Sequence, residues 1–169
     1  MERLRKLTEA DLPLTLNWRN TPSINRYMFN QNIIEMSEHT QWFRRAIEDP
    51  AQTLLIFEQR AKPVGYMNYT QRSKGAIVEW GFYVAPDATK GTGTKMALCA
   101  LQYAFEEIKL QKVYAQVLSY NYASIKLHNN LGFQNEGILR KQHFDGVNYH
   151  DIYCFGLFAD EWRQTQGSH

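Results

Sequence analysis

The chain has 169 residues, enough for one sizeable core and too few for two. Its formal net charge of +2 gives no strong general pull toward nucleic acid or an anionic membrane. No apolar run approaches the ~20 residues of a membrane helix, "MERLRKLTEAD" lacks a signal-peptide core, and the widely separated Cys99 and Cys154 suit buried thiols in a reducing, cytoplasmic compartment.

Residues 3–7 read as a short edge strand. Thr8, with Asp11 three residues on, has N-cap spacing, and a helix follows to about Trp18. Thr21 and Pro22 open a second short helix, because proline suits the first helical turn. "FNQNII" is a loop. Ser37 caps a helix with Trp42, Phe43, Ala46 and Ile47 on one stripe. "TLLIFEQ", "VGYMNYTQ" and "AIVEWGFYV" are strands separated by "RAKP" and "RSKG", an antiparallel meander. A helix from Thr94 to Glu107 comes next, then the strand "KVYAQVL". Asn121 caps a helix through Asn130, which Gly132 ends in the left-handed conformation. "FQNEGILRKQHF" and "NYHDIYCFGLF" are strands joined at Asp145–Gly146. The order implies one α+β domain over residues 1–166, built on a single sheet, with 167–169 a tail or non-native remnant.

Gly91 and Gly93 sit between a strand and a long helix, where backbone N–H groups can hold a phosphate. A dinucleotide site wants a third glycine, but Met96 stands there. A P-loop wants four residues before Gly-Lys-Ser/Thr, and Lys95 is misplaced for that. The glycines still suit a pyrophosphate, with Lys90 and Lys95 adding charge; the competing account is a flexible turn before a core helix. In the preceding strand, Val78, Trp80, Phe82 and Val84 share one face, and Ile77, Glu79, Gly81 and Tyr83 the other. A carboxylate within an apolar strand needs a partner or a wet cleft. Gly81 leaves room for something to approach the backbone.

This pattern resembles the GNAT N-acetyltransferase superfamily. The stretch Ala88-Thr89-Lys90-Gly91-Thr92-Gly93 is similar to its Gln/Arg-x-x-Gly-x-Gly/Ala signature, with Ala88 where Gln or Arg is usual. "NYASIKLHNNLGF" is similar to its second signature, with His128 in place of the usual Tyr. The resemblance implies a GNAT fold: a mixed, mostly antiparallel twisted sheet flanked by helices, with acetyl-CoA between the fourth and fifth strands. It implies pantetheine pairing with the backbone near Phe82 and Val84, and pyrophosphate on Lys90, Gly91, Thr92, Gly93, Thr94 and Lys95, with Asn121 and Ser124 nearby. "NWRN", "YMFNQ" and "EHTQWF" resemble the ribosomal-protein acetyltransferase branch and, more narrowly, enzymes of pseudaminic acid biosynthesis that acetylate a UDP-linked 4-amino sugar on the way to flagellin or surface glycans.

On that resemblance Glu79 takes the amine proton, directly or through water. A backbone N–H near Tyr83 or Val84 receives the charge developing on oxygen. His128 serves the departing thiol, and Asn121 orients pantetheine or a water. The rival roles are an exposed polar position for His128, a cap for Asn121, cleft packing for Tyr83 and a structural ion pair for Glu79. Arg19 and Arg26 would meet a diphosphate; Met28, Phe29, His39 and Tyr69 would receive uracil or the sugar's methyl group. His143, His150 and Asp151 make no convincing metal site, so no metal is expected. Other readings are a protein N-terminal acetyltransferase and a non-catalytic acyl-CoA sensor. A nucleic-acid partner is not expected, because basic residues are interleaved with acidic ones. A monomer or homodimer is expected.

Overall fold

The computed structural model describes residues 1–167. In chain order its elements are β1 (Glu2–Lys6), α1 (Leu12–Asn20), α2 (Pro22–Asn25), α3 (Met36–Glu48), β2 (Gln52–Gln59), β3 (Lys62–Thr70), β4 (Ile77–Val84), α4 (Thr92–Gln102), β5 (Lys112–Leu118), α5 (Tyr122–Asn130), β6 (Gln134–Phe144), β7 (Tyr149–Phe158) and α6 (Ala159–Gln166). The strands form one sheet in the order β1-β2-β3-β4-β5-β7-β6. Every pairing is antiparallel except β4 with β5.

Each face of the sheet carries its own core. On one face Met67, Tyr69, Val78 and Trp80 meet Ala97, Ala100, Leu101 and Ala104 of α4 and its π-helical extension. Those alanines are fully buried, so the helix lies close to the strands. Gly65 serves the same approach: a Cβ there would fall 2.6 Å from Met96 Sδ. On the other face Leu12, Trp18, Phe43 and Ala46 of α1 and α3 cover Leu54, Ile56 and Tyr66. Burying side chains of this size contributes about 1.5–3 kcal/mol each.

The N-terminal edge is held by charge. Arg5 sends two nitrogens to the Asp11 carboxylate at 2.7 and 2.8 Å and its Nε to Glu58 at 2.6 Å. Arg3 completes the set on Glu58 at 2.7 Å. Asp11 also accepts from the Thr8 amide at 2.8 Å, which fixes the entry to α1 through a 3-10 turn.

Several boundaries differ from the expectations. α3 opens at Met36, so Ser37 lies inside its first turn, and Ile47 is 55% exposed while His39 joins the buried stripe. α4 opens at Thr92. α6 was not anticipated because only Ala159 and Trp162 of its residues are buried, too few for an apolar period. Gly167 ends that helix, its N–H donating to Arg163 O, so it is not part of a tail; residues 168–169 lie outside the described residues. Cys99 and Cys154 are free and only partly buried. No helix among the described residues is long and apolar enough to cross a membrane.

The functional consequence of this topology is a gap. β4 and β5 pair only from Ile77–Lys112 to Glu79–Tyr114. Beyond that point β5 turns to β7 through Leu118, while β4 stays with β3 through Val84. The two parallel strands therefore part into a V. Ala85 N–H bonds Val64 O, so alternation points the N–H and C=O of Tyr83 and Gly81 toward β3. The backbone groups of Phe82 and Val84 then face the opening.

Candidate active site

Three connected cavities meet at Met28 and Phe82. The first is a groove of about 400 Å³ lined by Val84, Gly91, Gly93, Thr94, Asn121, Ser124 and Leu127. The second, about 560 Å³, fills the V and is lined by Arg72, Glu79, Trp80, Tyr114, Asn121, Ser124 and His128 among others. The third, about 440 Å³, lies on the α1–α3 side between Arg19, His39, Trp42, Arg45, Asn68, Tyr66 and Tyr83.

The groove takes its chemistry from the start of α4. Gly91 has φ +92°, a left-handed conformation that favours glycine. Thr92 N–H bonds Thr89 O and Lys95 N–H bonds Gly91 O, which leaves the Gly93 and Thr94 amides without a backbone acceptor. A Cβ on Gly93 would touch only Val84 Cγ1, at 3.9 Å, so its absence matters for access to the amide more than for packing. These two amides, at the positive end of an eleven-residue helix, suit a pyrophosphate. The open Phe82 and Val84 backbone can pair with an amide-bearing chain such as pantetheine. The residues present therefore fit coenzyme A.

Two of the residues expected around the phosphate do otherwise. The Lys95 ammonium pairs with Glu2 at 3.2 Å. Thr92 is buried and gives its hydroxyl to Thr89 O at 2.8 Å. Lys90 is exposed beside the turn.

His128 is the main correction. It is 1% exposed and packed among Trp80, Phe82, Phe133 and Phe155. Trp80 Nε1–H donates to its Nε2 at 3.0 Å, so the ring proton sits on Nδ1, 2.7 Å from Ser124 O. Burial lowers its pKa to about 4. A neutral ring with both nitrogens engaged cannot protonate a departing thiolate. It is neither the expected acid nor the exposed polar residue weighed against it. Its neighbour Ser124 now stands out: its Oγ is 3.3 Å from Nδ1, and because Nδ1 is a donor the hydroxyl proton is not used by the ring. Asn121 caps α5, its Oδ1 accepting from Ser124 N–H at 3.3 Å, and lines the junction of groove and V.

Glu79 stands at the root of the V, its Oε1 bonded by Arg72 Nη2 at 3.1 Å and Nε at 3.3 Å. Both the functional and the ion-pair readings of Glu79 thus have a physical basis. Asn68 lies directly across from Gly81, and a Cβ on that glycine would meet Asn68 Oδ1 at 2.8 Å. The missing side chain of Gly81 is therefore room for Asn68.

On the α1–α3 side, Tyr83 packs on Tyr66 and its hydroxyl donates to Thr15 O at 3.4 Å; burial raises its phenol pKa. Thr15 gives its own proton to Asp11 O and so accepts from His39 Nε2 at 3.1 Å. His39 stacks on Trp42, and burial lowers its pKa, with Arg19 adding to the effect. Arg19 sends Nη2 to Asn30 O. Its Nη1 is buried without a hydrogen-bond partner among the described residues. The loop that walls this cavity is latched by Asn20, which exchanges bonds of 2.9 and 3.0 Å with Ile34, and by Tyr120, which donates to Arg26 O at 2.7 Å.

Of the other expected substrate residues, Met28 joins all three cavities and Phe29 lines the V, its ring edge-on to His143. Arg26 does not reach the cavities: its exposed guanidinium lies 4.8 Å over the Tyr27 ring. Tyr69 is on the opposite face of the sheet, 1% exposed, donating to Ala100 O at 2.6 Å; it cannot meet an acceptor. Arg72, Asn68 and Arg45 were missed. Asn68 had a readable signal, a polar residue inside a strand; Arg72 and Arg45 had none beyond being charged. No cluster of metal-binding side chains occurs among the described residues.

A model of the GNAT acetyltransferase domain matches residues 3–134. The chain is 41% identical over 132 residues to the uncharacterized N-acetyltransferase YokL of Bacillus subtilis, covering 75% of this chain and 73% of that protein. It is 28% identical over 156 residues to the spermidine N(1)-acetyltransferase of Vibrio cholerae, 88% of each chain. It is 26% identical over 136 residues to acetyltransferase PseH of Campylobacter jejuni, 79% of this chain and 83% of that one. In fold it is similar to a Vibrio cholerae spermidine N-acetyltransferase crystallised with CoA and spermine, at a TM-score of 0.89 and 24% identity, over 96% of this chain and 98% of that chain.

Proposed function

The chain belongs to the GNAT acetyltransferase family and is an N-acetyltransferase; from that premise we propose that it uses acetyl-CoA to acetylate the primary amine of an anion-bearing acceptor, a UDP-linked 4-amino-4,6-dideoxy-N-acetyl sugar. Acetyl-CoA in the groove supplies an activated acetyl thioester. Gly93 and Thr94 amides hold the pyrophosphate, and Phe82 and Val84 hold the arm with main-chain bonds. The amine enters through the α1–α3 cavity and loses its proton to Glu79, directly or through a water. An outward N–H of Phe82 or Val84 receives the charge that grows on the carbonyl oxygen. The Ser124 hydroxyl donates to the departing sulfur. His128 holds the Ser124 backbone in place.

The observation that carries the acceptor assignment is the orphaned Nη1 of Arg19 in the wall of the third cavity. A buried guanidinium nitrogen without a partner is costly and is satisfied by an oxygen-rich anion. Arg45 adds a second positive charge to the same cavity, against one carboxylate, Glu38. His39, Trp42, Tyr66 and Tyr83 offer ring faces and edges for a base or a sugar methyl. The identity to spermidine acetyltransferases favours a polyamine instead, but two guanidiniums would repel a polycation at close range.

The test is CoA release from acetyl-CoA with separate acceptors: the UDP-linked 4-amino sugar, its C4 epimer, spermidine, and a short peptide with a free N-terminus. Turnover of a nucleotide-linked sugar well above the others is expected. Turnover of spermidine or the peptide, with none on either sugar, overturns the acceptor assignment and leaves the enzyme class standing.

A further inference from the structure

Glu79 is the last residue of β4 paired to β5, through Tyr114, and the first paired to β3, through Thr70. Its backbone is therefore held on both sides at the point where β4 and β5 part. Its side chain is 23% exposed, and Arg72 reaches it from the turn after β3 with a side chain 61% exposed. Both contacting nitrogens go to one oxygen, Oε1. Oε2 has no hydrogen bond from a described residue, and the pair lines the V-shaped cavity.

Other groups face the same spot. Its register partner on β5 is Tyr114, whose phenol is raised by burial and then by Glu79. On β7 is Cys154, its thiol raised by burial, Glu136 and Glu79. Lys112 on β5 is taken by Glu136 on β6 at 2.8 Å. Among these, Arg72 alone is a cation bonded to Glu79.

We propose that Arg72 is a positioning residue for the acetyl transfer: it occupies Oε1 and fixes the carboxylate at the root of the V, so that Oε2 is the atom presented to the acceptor amine. This rests on Glu79 being the proton acceptor. Because the cation is exposed, the effect is modest and screened by salt.

The experiment compares kcat and the KM values for acetyl-CoA and for the acceptor in wild type, Arg72→Gln, Arg72→Lys and Glu79→Gln, using the best acceptor of the panel. Arg72→Gln should lower kcat about two- to fivefold, the size of an exposed pair, with both KM values little changed. Arg72→Lys, which keeps the cation and loses the two-nitrogen grip, should restore part of the loss. Thermal melts check that the variants fold. A kcat unmoved by Arg72→Gln, or a loss that falls on KM alone, overturns the proposal provided Glu79→Gln is strongly impaired. If Glu79→Gln keeps wild-type activity, the proton-acceptor reading fails, and the role of Arg72 fails with it.

Discussion

Replacing His128 with glutamine separates a buried structural histidine from a catalytic acid. The native ring is held neutral: burial brings its pKa from 6.5 to about 4. The unfolded chain therefore binds a proton near pH 6.5 that the folded chain refuses until about pH 4. Stability from this group is complete above 6.5 and falls as the pH drops through that window. At about 1.4 kcal/mol per pH unit, the loss down to pH 4 is about 3 kcal/mol. Glutamine can keep one acceptor for Trp80 and one donor for Ser124 but does not titrate. At neutral pH the variant should be less stable by about 1–3 kcal/mol, because ring packing and hydrogen-bond geometry suffer. Urea unfolding between pH 7.5 and 4.5 is the assay. Toward low pH the wild type should lose about 2–3 kcal/mol relative to the variant, so the two curves converge or cross. His39, also lowered by burial, is common to both proteins and cancels in the difference. Turnover should keep its pH dependence. Parallel stability curves, or a hundredfold loss of kcat together with a vanished alkaline limb, would refute a neutral, buried ring.

Ser124→Ala should lower kcat about ten- to a hundredfold while the KM for acetyl-CoA changes little, since it removes a hydrogen bond used only as sulfur departs; steady-state kinetics check this. Gly91→Ala should raise the KM for acetyl-CoA and cost about 1 kcal/mol of stability, entirely through φ +92°, because a Cβ there meets nothing within 4 Å; melting curves and donor titrations read both effects. Tyr69→Phe should lose about 1 kcal/mol in urea unfolding, from the bond to Ala100, with no change in acceptor KM.

Much of the architecture was legible because it depends on local pattern. Alternation in "AIVEWGFYV" assigned the two faces of β4 correctly, with Val78 and Trp80 in one core and Tyr83 against the other. The glycine turn was legible because left-handed φ and open amides need glycine. What failed depends on tertiary placement. His128 reads as polar in "HNN", yet α5 turns it into a ring cluster drawn from β4 and β7, distant in sequence, and from Phe133 just past the helix. Tyr69 alternates onto the α4 face, which a count from Gly65 and Met67 already allowed. Arg26 and Arg19 look alike in sequence, but only Arg19 lies on the turn of α1 that faces the cavity. Arg72 sits in a turn whose direction nothing local specifies.

The most direct test of the central claim compares Arg19→Ala with wild type on the nucleotide-linked amino sugar and on the same amino sugar without its nucleotide. Loss of the guanidinium should lower kcat/KM for the nucleotide-linked sugar by about ten- to a hundredfold, leave the nucleotide-free sugar nearly unchanged, and keep the KM for acetyl-CoA. Equal loss on both sugars, or spermidine turned over faster than either by wild type, would contradict an anion-reading acceptor cavity.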